Sequence, residues 1–169
     1  MRITSTVVSK TKRWEKLKAD LKTVDKRGVD VGWWSGFHNN GRSEGITLAQ
    51  IAQWVDEGHI NGGIGEGTYT PPRPFLSQAL GVALSQNKWL GNRVKSAMIK
   101  VFSGRLKWTA FFNELGPDLV RLTQRVMQEF NDPRNSDFTI ALKVFDNPTI
   151  ETGQLMQTVD WRISEKGAQ

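Results

Sequence analysis

The feature that most limits what this chain can fold into is a run of backbone punctuation before its midpoint. Gly58 to Thr70 (GHINGGIGEGTYT) carries five glycines in thirteen residues and leads straight into Pro71-Pro-Arg-Pro74. Glycine loses more conformational entropy on ordering than any other residue, so the first stretch predicts a long loop or a functional arm. A residue that precedes proline is pushed out of the helical region, so the second stretch is extended and rigid. Pro74 suits the first turn of a helix beginning at Phe75.

On the N-terminal side of this divide, residues 9–26 predict an amphipathic helix. Trp14, Leu17, Leu21 and Val24 fall on one face, lysines occupy the others, and Gly28 supplies a stop. So narrow a stripe suits a helix laid on a domain surface or on a neighbour. Val29, Val31 and Trp33 alternate with Asp30, Gly32 and Trp34, the period of a half-buried strand. The polar stretch Ser35 to Gly45 predicts a loop. Thr47 and Gln50 have capping-box spacing, ahead of a short helix whose apolar face is Leu48, Ile51, Ala52 and Val55, with Gly58 as its cap.

On the other side the chain reads as mostly helical. A helix from Phe75 runs to about Phe102 and bends at Gly81 or Gly91; Gly104 ends it. Trp108, Phe111, Phe112 and Leu115 form a further helical patch. Gly116-Pro117-Asp118 predicts a break or kink, after which Leu119, Leu122, Val126 and Phe130 resume the period. Residues 131–137 are loop, and 138–145 fit a strand or a single helical turn equally. A turn over 147–153 leads through Leu155 and Met156 into a strand with Val159, Trp161 and Ile163 on one face.

These elements define an α+β fold: a small antiparallel or mixed sheet packed with a long helix and two or three shorter ones, with an extended arm at 58–72. One domain spans 29–164, preceded by a basic helix or arm (1–28) and followed by a frayed tail (165–169). At 169 residues and 38% hydrophobic, the chain can bury a core without staples. The absence of cysteine excludes disulfides, cysteine-type zinc sites and thiol catalysis. No apolar run approaches the length of a membrane span and no secretory leader is evident, which predicts a soluble cytoplasmic product without a membrane partner. The formal charge is +6 overall, and residues 1–28, with nine basic and three acidic side chains, account for all of it. Between Glu66 and Glu114 there is no carboxylate, and seven Lys and Arg residues occupy that stretch. Such a field favours an acidic or phosphate-bearing partner.

Chemistry is harder to find. His38 and His59 stand in separate polar loops without ligand-like spacing, and the glycine loop is not followed by the lysine or helix start that a phosphate cradle needs. Neither catalytic residues nor a metal or cofactor is predicted. A hydrolase would need a nucleophile and base that the sequence does not announce. Seven tryptophans are many for one domain. Trp33 and Trp161 suit a core, whereas adjacent Trp33 and Trp34 face opposite ways on a strand, which predicts that another subunit covers one of them.

Five segments occur in an order with a known parallel: VDVGWWSG (29–36), TLAQIAQWVDEG (47–58), PPRPFLSQAL (71–80), a long helical middle, and NPTIETGQLMQTVDWRI (147–163). The order resembles the tail-completion and neck proteins of tailed bacteriophages, including Mu-like virion-morphogenesis and lambdoid minor tail components. Where that family commonly has an acidic-aromatic-glycine end, this chain has Asp56-Glu57-Gly58, and it inserts the glycine arm. The late turn is Glu151-Thr-Gly-Gln-Leu155, with Glu in place of the usual Asp. The resemblance implies a non-enzymatic virion part assembled in the host cytoplasm, a homo-oligomeric ring at the head–tail junction, a hexamer in preference to a dodecamer. Its partners would be the portal or connector and the tail-terminator or tail-tube proteins. Ring contacts are heterologous, and Trp34, Trp54, Arg73, Pro74 and Phe75 are the candidate contact residues. A tail terminator or other minor tail ring is the neighbouring alternative. A different class is a sequence-independent DNA binder, for which Arg93, Lys100 and Lys107, spaced by seven, would contact phosphates or an acidic partner; genomic DNA in a neck channel would meet the same stripe.

Overall fold

The structure, a computed structural model, describes residues 27–34, 45–60, 67, 69–85, 88–144, 146–149 and 153–165, together with 14–16, 18, 19, 21 and 22. The last group is helical, with Trp14 and Leu21 exposed. The ends of the predicted N-terminal helix, His38 and most of the glycine arm lie outside the described residues.

The fold is α+β, with a long helix as its spine. Strand β1 (Arg27–Gly32) pairs antiparallel with β4 (Asp160–Glu165), in the register Arg27↔Glu165 to Gly32↔Asp160. The sheet thus takes in both ends of the expected domain: Arg27 and Gly28, assigned to the arm, and Glu165, assigned to the frayed tail, are ladder residues. Helix α1 (Leu48–Glu57) opens on the predicted capping box, with Gln50 N–H donating to the Thr47 hydroxyl and Thr47 N–H to the Gln50 side chain. Two-residue strands β2 (His59–Ile60) and β3 (Tyr69–Thr70) pair antiparallel, so the glycine arm is pinned at its base as a hairpin.

Helix α2 (Phe75–Ser85) and helix α3 (Trp89–Phe102) replace the single helix predicted over 75–102. The separation falls beside Lys88, whose φ of 54° lies in the left-handed region, and not at Gly81 or Gly91, which stay helical. Helix α4 (Trp108–Glu129) runs unbroken through the position of the predicted break or kink, with Pro117 inside it. Proline in a helix interior forfeits one hydrogen bond, at a cost of about 3 kcal/mol, yet both halves of α4 are anchored. Phe111, Phe112 and Leu115 pack with Ala97 of α3, while Val126 and Met127 join a second core with Trp33, Leu48, Phe75, Leu155 and Val159. Helix α5 (Asp137–Lys143) settles the undecided stretch, capped by Ser136, whose hydroxyl accepts from Thr139 N–H. Helix α6 (Gln154–Gln157) stands where Leu155 and Met156 were read as the approach to a strand.

The two cores meet at Gly116. A Cβ there would overlap the indole of Trp161 on β4, so glycine is what lets the sheet lie against the spine. This close approach, not chain breaking, explains the glycine. Helix propensity alone makes Gly116→Ala stabilising by about 1 kcal/mol. The packing predicts the opposite sign, a loss of about 1–3 kcal/mol as the indole is forced aside. Chemical denaturation of the two proteins decides between them.

Candidate interaction surface

The Pro71–Phe75 segment builds a corner between α1 and α2. Arg73 N–H donates to the carbonyls of Val55 (2.9 Å) and Asp56 (3.1 Å), satisfying the end of α1. In return the Asp56 carboxylate accepts from Leu76 N–H (3.0 Å) at the start of α2, where a negative group also meets the positive end of the helix. Gly58, at φ 78°, completes the corner: a Cβ would come within 2.8 Å of the Thr70 carbonyl and Pro72 N.

Two of the five candidate contact residues are consumed by this corner. Phe75 is fully buried, edge-on to Trp33 with ring centroids 6.0 Å apart, so it cannot touch a neighbouring subunit. The signal for this was in the sequence. Phe75, Ala79 and Ala83 recur every fourth residue and form the buried face of α2, leaving Leu80 and Leu84 exposed. Arg73 is buried as well. Its Nη2 donates to Asn135 Oδ1 (3.3 Å), Asn135 N–H donates to Asp146 Oδ1 (3.0 Å), and Arg73 Nε and Asn135 Nδ2 have no partner among the described residues. Burial lowers the Arg73 pKa from its ordinary value, opposed by attraction to Asp146; a guanidinium stays protonated regardless. Arg73 therefore ties the corner to the α4–α5 loop and presents no charge to a partner.

Pro74 and Trp54 remain at the surface beside the corner, Trp54 tilted against the His59 ring. Trp34 lies elsewhere, just past the end of β1 and against the β1–β4 sheet. Its ring folds back over Gly32 and takes the Arg162 guanidinium at 3.8 Å, and Arg162 in turn pairs with Asp30 (3.7 Å). The chain itself thus covers part of Trp34. Trp33 is buried, donating from Nε1 to the Leu155 carbonyl (2.8 Å), and the strand ends before both indoles.

The basic stripe is also rearranged. Arg93 is drawn to Asp118 on α4 (2.8 Å), which holds Arg121 as well (2.9 Å). Lys100 is exposed in the last turn of α3, but Lys107 lies beyond the helix end, at the N-cap of α4, so the three do not form one helical stripe. Among the described residues no group of three His, Asp or Glu side chains could hold a metal ion.

The surface offers apolar side chains that the sequence reading passed over. On α3, Ile99 is 61% exposed, with Met98 and Phe102 beside it; on and after α5, Phe138 and Leu142 are each 70% and Val144 is 88% exposed. Ser136 as a cap and the four-residue step from Phe138 to Leu142 were the signals that α5 is an amphipathic helix with its apolar residues facing out. No family of known proteins, no curated protein and no solved structure matches the chain.

Two predictions separate the corner from the surface. Asp56→Ala removes the α2 cap and lowers stability by about 1 kcal/mol, and Phe75→Ala lowers it by about 3–5 kcal/mol. Trp34→Ala, losing one exposed cation–π contact, costs about 1 kcal/mol or less. Thermal or urea unfolding of the three variants checks the ranking.

Proposed function

We propose that this chain is a structural part of a tailed-phage virion, a tail-completion or neck protein that forms a ring at the head–tail junction and joins the connector to the tail. The observation that carries the interaction reading is the apolar surface. Leu80 and Leu84 on α2, Ile99 on α3 and Phe138 and Leu142 on α5 are all more than half exposed. Exposed apolar groups that fall together on one face of an element mark surfaces that partners cover. The phage assignment is supported by the ordered motifs, and two of them, DEG and PPRPF, have a common structural task in the Asp56–Arg73–Leu76 corner. Among the described residues no helix is long and apolar enough to cross a membrane.

The reading is tested by a nonsense mutation in the gene within the genome that encodes it. Filled heads and separate finished tails are expected by electron microscopy, with joined particles restored by complementation. Joined, infectious particles without the protein contradict the reading, and tails of uncontrolled length assign the chain to the tail terminator instead. The DNA-binding alternative has the exposed Lys100 and Lys107 in its favour. It requires duplex binding at about 50 mM salt that falls steeply as salt rises.

A further inference from the structure

Two of the exposed apolar patches, one on α3 and one on and after α5, lie in segments of opposite charge. Helix α3 ends at Phe102 and α4 starts at Trp108, so the α3 patch sits at the N-terminal end of the spine. There Lys95, Ile99 and Phe102 share one face of α3 by steps of four and three, with Lys100 and Lys107 close by. Residues 88–107 hold six basic side chains and no acidic one.

The other patch hangs from the far end. The chain leaves α4 after Glu129 and returns to it with Asn147 and Thr149, which bond the Met127 and Gln128 carbonyls. Between these points it displays Phe138, Leu142 and Val144. Residues 129–146 carry four acidic side chains and two basic ones; Arg134 pairs with two of the four, Asp137 (3.1 Å) and Asp146 (3.4 Å), and the segment keeps a net negative charge. At 1.5 Å per residue the 22-residue spine that connects the two segments is about 30 Å long.

Two further features are unfavourable in an isolated copy. Helix α4 has Lys107 at its N-cap and no acidic residue in its first turn, while its last residue is Glu129 and its last turn has no basic residue. Both charges oppose the helix dipole. Val144, β-branched, occupies the left-handed region at φ 65°, a conformation that glycine would adopt without cost, and its side chain stands almost fully in solvent. A second copy of the chain placed head to tail brings basic against acidic and apolar against apolar, and covers the exposed Val144 side chain.

We infer that the α3 end of one copy docks on the α5 end of the next, through Ile99 and Phe102 against Phe138, Leu142 and Val144. The contact is heterologous, so it propagates from copy to copy and gives a ring where the rotation closes. It supplies the interface of the ring proposed above and rests on that reading for closure.

Sedimentation of the full-length protein with Ile99→Gln and Leu142→Gln variants tests the contact. Both positions are exposed, and circular dichroism and melting should match the wild type. The wild type is expected to form one closed oligomer at moderate salt and to weaken at high salt. Each variant alone should stay monomeric, with association weakened on the order of tenfold or more. Mixed in equal amounts, the variants should form a dimer and stop there, because each retains the end that the other lacks. Val144→Gly gives a second readout: weaker association at an unchanged or higher melting temperature. Variants that assemble like the wild type overturn the contact while leaving a ring built on another surface. A mixture that remains monomeric while the wild type assembles overturns it, as does a wild type that is monomeric at about 100 µM. The neck reading itself stands or falls on particle morphology.

Discussion

The fold depends on one close approach, that of the Trp161 indole to the backbone of Gly116. β4 lies against the middle of α4 because no side chain intervenes at that position, and β1 follows by pairing with β4. With the sheet seated there, Phe111, Phe112 and Leu115 close one core on one side of the crossing. Val126 and Met127 close the other with Trp33 and Phe75. Pro117, one residue along, costs a hydrogen bond in a helix that is anchored in both directions, so the spine stays continuous. Core packing worth several side chains of burial outweighs a single lost backbone bond.

The corner between α1 and α2 shows how a conspicuous motif can serve the interior. A rigid Pro-Pro-Arg-Pro segment suggests something held out for a partner. Its backbone instead closes α1, the Asp56 carboxylate closes the start of α2, Arg73 reaches the loop before α5, and Phe75 fills the core. What the corner leaves outside is modest: Pro74 and one face of Trp54. Further exposed apolar groups lie beside it, Ile60 and Tyr69 on the hairpin and Leu80 and Leu84 on α2, and others on α3 and α5.

Much of the fold was legible in the sequence. Local signals with a single physical meaning read correctly: the Thr47–Gln50 capping box, the alternation through Val29 and Val31 and again through Trp161 and Ile163, and the apolar face of α1. Signals with two meanings were misread where tertiary structure chose between them. Gly116-Pro117 breaks a helix in isolation and makes a notch in a packed one. The helical pattern on both sides of 86–88 hides a separation that falls beside a left-handed residue, Lys88, and not at a glycine. Of the candidate contact residues, Trp34, Trp54 and Pro74 are at the surface while Arg73 and Phe75 are not, because an aromatic after a proline brace fits core and interface equally until the spacing to Ala79 and Ala83 is considered. The regularity of Arg93, Lys100 and Lys107 was a property of the numbering: one is ion-paired and one lies past the helix end.

The inferred contact between the α3 end of one copy and the α5 end of the next would let one chain specify an assembly, since the same contact repeats. Cryo-electron microscopy of the assembled protein examines this most directly. The account predicts a cyclic particle in which Ile99 and Phe102 of each subunit lie against Phe138 and Leu142 of the next. A two-fold dimer joined by identical faces, or a ring in which these residues point into solvent, would contradict it.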